Sequence, residues 1–236
     1  MKNLLILLLL PLYSCFNLQK IIGTTLITSS LLTPPVDSVN KYHQQTPVPI
    51  VTDNGQFTTS KITTQRNNIY LYGDVTPESC EELKNYITEM DFNGKLFRIT
   101  YNLDPPPINL HIQSSGGSLM NALYIVDLVE GLDTPVNTYI DGYSASAASL
   151  INVVGKKRYM TKNSMILIHQ LSSNKQGKFE ELNDEMSNLN QLMKKIKTIY
   201  SEHTHIPVSV LDEMLKHDIW FDSTTSKNYG LIDEII

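Results

Sequence analysis

Gly142-Tyr-Ser-Ala-Ser-Ala-Ala-Ser-Leu150 is the stretch from which the rest of the chain can be read. A β-prone run, Val136-Asn-Thr-Tyr-Ile-Asp141, leads into it, and Ile151, Val153 and Val154 follow. The pattern predicts a strand that ends in a tight Gly turn and opens directly into a buried helix. A serine at such a junction sits at a helix N-terminus, where unpaired N–H groups favour negative charge. That setting suits a nucleophilic hydroxyl whose attack builds an oxyanion beside those donors. Small residues at a helix start also serve close packing, so the stretch alone leaves both readings open.

A similar unit lies just upstream. Ile108-Asn-Leu-His-Ile112 alternates as a strand does and ends at Gln113-Ser-Ser-Gly-Gly-Ser118. Ala122, Ile125, Val126 and Val129 then recur at helical spacing. Gly116-Gly117 lacks the Lys of a phosphate-binding P-loop and the third Gly of a dinucleotide fingerprint, so nucleotide binding is not expected. A Gly pair opening a helix can instead turn a backbone N–H toward an oxyanion. Two strand–turn–helix units in succession imply βαβ crossovers and a mostly parallel, layered α/β fold. Right-handed crossovers place both turns at the C-terminal edge of the sheet, where active sites tend to be built.

Outward from this centre, Ile69-Tyr-Leu-Tyr72 reads as a strand. Thr76 and Pro77 open a helix expected to run to about Met90. Residues 91–102 carry no clear pattern, and Pro105-Pro-Pro107 enforces an extended break. Residues 156–160 and 165–170 read as a hairpin around Lys162-Asn-Ser164, with His169 at the end of an apolar strand. Residues 178–200 form the longest predicted helix. Its Phe179, Leu182, Met186, Leu189, Met193, Ile196 and Tyr200 make a narrow coiled-coil-like seam, read as a subunit interface. Pro207 opens a short helix that leads to Asp218, and Asp222 can cap a last one ending at Gly230.

The chain has 236 residues, a net charge of −5 and a pI near 5.7, with no block of Lys or Arg. That argues against nucleic acid as the main partner. Cys15 and Cys80 are the only cysteines, which excludes a disulfide scaffold or a zinc framework. Cys80 falls in a predicted helix as packing. His203 and His205 lack further ligands nearby, so no metal or other cofactor is expected. Residues 1–15 pair one Lys with an apolar run far shorter than the roughly 20 residues a membrane span needs, as in a signal peptide. Residues 16–64 are an extension whose Ser/Thr-rich first part resembles a transit peptide. A two-part address to a complex plastid, another organelle, simple secretion and retention in a cytoplasm all stay open. Residues 65–236 are the expected catalytic domain.

Ser146, His169 and Asp218 together suit a triad: a hydroxyl that attacks, an imidazole that takes its proton, and a buried carboxylate that orients the imidazole. Gly117 and Ala147 can offer backbone N–H groups to the oxyanion. With these residues stand Ser114-Ser-Gly-Gly-Ser118, Gly142-Tyr-Ser-Ala-Ser-Ala147, Met165-Ile-Leu-Ile-His-Gln170, Gln176-Gly177, His217-Asp218 and Tyr229-Gly-Leu-Ile-Asp233. On these motifs the chain from about residue 65 resembles the proteolytic subunit of Clp protease, a serine peptidase on a crotonase-like fold. The resemblance implies Ser146 as nucleophile, His169 as base, Asp218 as its partner, and Gly117 with Ala147 as the oxyanion hole. It implies unfolded polypeptide as substrate, bound as a strand between Gly117 and the segment after His169. It also implies stacked heptameric rings, homo- or hetero-oligomeric, joined by the 178–200 helix as a handle, and a separate Clp-type ATPase.

Departures from the family pattern bear on that partner. Asn109 and His111 stand where tyrosines usually line the ATPase-docking pocket, His217 replaces a usual Arg, and the stretch 92–107 is long. Three other readings remain: a crotonase-type acyl-CoA enzyme, a non-catalytic subunit of a mixed ring, and an ATPase-independent peptidase.

Overall fold

The computed structural model describes residues 60–236. The signal-like segment expected in residues 1–15, Cys15 included, and the expected 16–64 extension as far as residue 59 lie outside the described residues. Among the described residues eight strands form one sheet: β1 (Ser60–Gln65), β2 (Asn68–Gly73), β3 (Ile108–Ser114), β4 (Val136–Ala145), β5 (Lys157–Met160), β6 (Met165–Leu167), β7 (Trp220–Asp222) and β8 (Glu234–Ile235). Six helices accompany them: α1 (Pro77–Tyr101), α2 (Leu119–Glu130), α3 (Ala147–Val153), α4 (Phe179–His203), α5 (Val208–Met214) and α6 (Ser223–Asn228). The main path is β1-β2-β3-β4-β5-β8, with β6 beside β4 and β7 beside β6. The β2, β3, β4 and β5 neighbours are parallel, as the repeated crossovers require. β1 spans the end of the expected 16–64 extension and pairs antiparallel with β2.

One sheet face carries Ile69, Leu71, Leu110, Ile112 and Ile140, all fully buried. They share a core with Leu83 and Ile87 of α1, Ala122 and Ile125 of α2, and Leu150 and Ile151 of α3. The central strands therefore hold both Gly-turn junctions on a rigid, close-packed base.

Three local expectations are corrected. Gly142 does not end its strand. The β3/β4 register passes from Ile112↔Ile140 to Ser114↔Ser144, so β4 bulges through Gly142 at φ 113° and continues to Ala145. β5 and β6 are not a hairpin, because both run parallel to β4, at residues 137–140 and 143–145. The turn at 161–164 only kinks the chain there. Ser164 Oγ donates to Ile140 O at 3.1 Å and accepts from Gly142 N–H at 2.7 Å, so a side chain fills the break in the ladder. Helix α1 runs eleven residues past Met90, to Tyr101. Gly94 permits this, since a methyl there would lie 2.3 Å from Thr134 Oγ1.

Candidate active site

Ser146 follows β4 directly and precedes α3. Its backbone sits at φ 53° and ψ −127°, a conformation that costs a non-glycine residue about 1–3 kcal/mol. Three hydrogen bonds hold it there. Its N–H donates to Leu167 O at 2.9 Å. Its carbonyl accepts from Ser149 N–H at 3.0 Å and from Ser149 Oγ at 2.5 Å. The other Gly turn lies against it: a methyl on Gly116 would come within 2.8 Å of Ser146 Cβ and 2.9 Å of Ala147 N. At the bridge to Val75, Val75 N–H donates to Gly116 O and Ser118 N–H to Val75 O, each at 2.7 Å. Those bonds use the groups flanking Gly117. Its own N–H points away from Val75 and has no partner among the described residues. Ala147 is the first residue of α3, so its N–H has no intrahelical acceptor.

Strand register accounts for the other two residues. β7 is antiparallel to β6 with Leu167 opposite Trp220, and two further steps along each chain set His169 opposite Asp218. His169 Nδ1 and Asp218 Oδ1 are 2.9 Å apart. A carboxylate at Nδ1 favours the proton there and leaves Nε2 as the basic nitrogen. Gln170 N–H donates to Leu215 O at 2.6 Å, which fixes the chain after His169 against the end of α5. β6 is parallel to β4 with Ala145 beside Leu167, so Ser146 leaves the sheet next to the segment carrying His169. No hydrogen bond joins Ser146 Oγ to His169 among the described residues. The Asp218 side chain is 78 % exposed in the single chain, whereas a buried carboxylate was expected. It projects past the C-cap of a short helix, and none of the described residues covers it.

Residues 62–236 match the family described as Clp protease. The chain belongs to the Clp protease family. Among solved structures, its fold is similar to a point mutant of ClpP1 from Listeria monocytogenes, with a TM-score of 0.62 and 22 % identity. That likeness covers 72 % of this chain and 91 % of the other, and at this identity it speaks for the fold.

In this Clp protease family member the sheet face at Asn109 and His111 is polar and tightly bonded. His111 Nδ1 lies 2.7 Å from Asp141 Oδ2, which also accepts from Tyr72 OH at 2.7 Å. The His111 ring stacks between Tyr70 and Tyr139 at 4.7 and 4.6 Å, and Tyr139 stacks on Tyr159 at 4.7 Å. Asn109 Nδ2 donates to Asn68 Oδ1 at 3.0 Å. A ring ladder thus crosses four strands.

Cys80 is buried in α1, and burial pushes its thiol pKa up, so it is no competing nucleophile. His217, beside the candidate acid, lies 3.3 Å from Glu213. Sequence reasoning missed Ser149 and its partner Tyr200, 2.7 Å away and fully buried in α4. The only trace of Ser149 was its place three residues after Ser146, and Tyr200 read simply as one more seam residue.

Proposed function

We propose that the chain is a serine endopeptidase that hydrolyses peptide bonds of unfolded polypeptides inside an oligomeric ring. The observation that carries this reading is the His169–Asp218 hydrogen bond, which leaves Nε2 as a base on the segment neighbouring Ser146. In the proposed reaction, Ser146 Oγ attacks the scissile carbonyl while His169 Nε2 takes its proton. The oxyanion accepts from Gly117 N–H and Ala147 N–H. His169 then protonates the leaving amine, and water repeats the sequence on the acyl-enzyme. Ser146 Oγ and His169 close to hydrogen-bonding distance in the assembled, substrate-bound state, as such contacts commonly tighten on binding. Residues 172–177 form no regular secondary structure, which leaves their backbone able to pair with an extended substrate.

Ring assembly has support in α4. Phe179, Leu182 and Met186 are 74 %, 42 % and 58 % exposed, whereas Ile196 and Tyr200 are buried. The C-terminal half of the seam is docked on the core, and its N-terminal half is an apolar stripe suited to another subunit. A separate Clp-type ATPase would deliver substrate. The polar ladder at His111 and Asn109 weakens docking of an apolar loop at the family's usual pocket.

Hydrolysis of a short fluorogenic peptide by the purified oligomer tests the proposal. Ser146→Ala and His169→Ala should each lower kcat by at least about a thousandfold. Undiminished turnover in Ser146→Ala would reject the serine mechanism.

A further inference from the structure

Ser146 holds a strained backbone, and such a residue keeps its geometry only where its surroundings over-determine it. Its carbonyl is the anchor with the deepest support. Ser149 Oγ donates to Ser146 O at 2.5 Å and so has spent its one proton. The 2.7 Å contact between Ser149 Oγ and Tyr200 OH therefore has Tyr200 as donor. Burial pushes the Tyr200 phenol pKa well up, which keeps it protonated. Both residues are fully buried, so water cannot replace either partner. The result is one directed chain of hydrogen bonds, Tyr200 to Ser149 to Ser146, from the long helix to the strained turn. Each link polarises the next. The same helix also grips the other half of the site: Met193 Sδ accepts from Leu171 N–H at 3.3 Å, two residues beyond His169.

We infer that Tyr200 is a positioning residue, bracing Ser146 in its attacking conformation through Ser149. The inference rests on the serine-peptidase reading and adds a role for two residues that touch no substrate. It also makes α4 the element that fixes the nucleophile's backbone.

The test compares wild type, Tyr200→Phe, Ser149→Ala and the double variant as assembled protein. Each is scored for fluorophosphonate labelling rate, for kcat and KM on a peptide, and for Tm. Tyr200→Phe removes one oxygen and leaves the Ser149–Ser146 bond in place. It should slow labelling and lower kcat about five- to tenfold, the size of one buried hydrogen bond, with KM unchanged. Ser149→Ala should lose at least as much. The double variant should be no slower than Ser149→Ala, because both changes break one chain.

A purely structural role would lower Tm and leave the rate per folded site unchanged, which would overturn the inference. Multiplying losses in the double variant would overturn it too, and if Tyr200→Phe folds poorly, Ser149→Ala still decides: an undiminished labelling rate there would overturn the inference. If wild type labels at Ser146 and Tyr200→Phe labels equally fast, the brace fails and the peptidase reading survives. If wild type does not label at Ser146, both fail.

Discussion

Gly116 and Asp218 show how narrowly single side chains are constrained around Ser146. At Gly116, φ is 93° and a methyl would lie 2.7 Å from Ala145 O. Gly116→Ala should therefore cost more than about 1 kcal/mol of stability and misplace the serine, measurable by denaturant titration and by labelling. Asp218→Asn keeps the shape of the side chain but favours the wrong imidazole tautomer. It should lower kcat about 10⁴-fold without unfolding the protein, because its side chain is exposed. Ser146, His169 and Asp218 are each marked in the sequence by a distinctive local motif, and the structure pairs the last two. The Ser149–Tyr200 bond has no such mark. It joins residues 51 apart, both of which read as ordinary packing, and no spacing rule links them.

At the scale of elements, periodicity served well where one face meets the core. The strands at Ile69 and Ile108, the helix after Gly117 and the long α4 follow their patterns. It failed where a tertiary partner replaces a local signal. Two runs flanking a turn looked like a hairpin, yet Ser164 Oγ lets them continue along one strand, and that oxygen has no sequence signature. The extension of α1 depends on Thr134, forty residues on from Gly94, accepting a glycine-sized gap. α4 carries a prediction of its own. Leu182→Asp with Met186→Asp changes exposed positions, so the fold of a single chain should shift by less than about 1 kcal/mol. If the stripe joins subunits, sedimentation velocity should show the oligomer dissociating. An unchanged sedimentation coefficient would remove α4 from the interface.

For the whole molecule, two paired carboxylates, the buried Asp91 and the more exposed Asp233, set the response to acid. Burial alone would raise the Asp91 carboxyl, but hydrogen bonds from Lys95 and the Thr134 N–H outweigh it and hold it below the usual range. At Asp233 the partial loss of solvent would raise the carboxyl, but the hydrogen bonds and charge of Arg158 outweigh it and hold it lowered. Both folded pKa values lie below the unfolded value near 3.9. The stabilisation is therefore complete above about pH 4 and is lost as pH falls through the lowered folded values. Urea midpoints measured from pH 6 down to 3 should drop, and Asp91→Asn should flatten that slope. The family assignment and the parallel sheet agree on a Clp-type scaffold.

The central claim is that Ser146 is an activated nucleophile. Intact-mass and peptide mapping after reaction with a fluorophosphonate measures this most directly. The account predicts one adduct per chain, on Ser146, with formation strongly slowed in His169→Ala. An unmodified Ser146 in the assembled protein, or an adduct formed equally fast without His169, would contradict it.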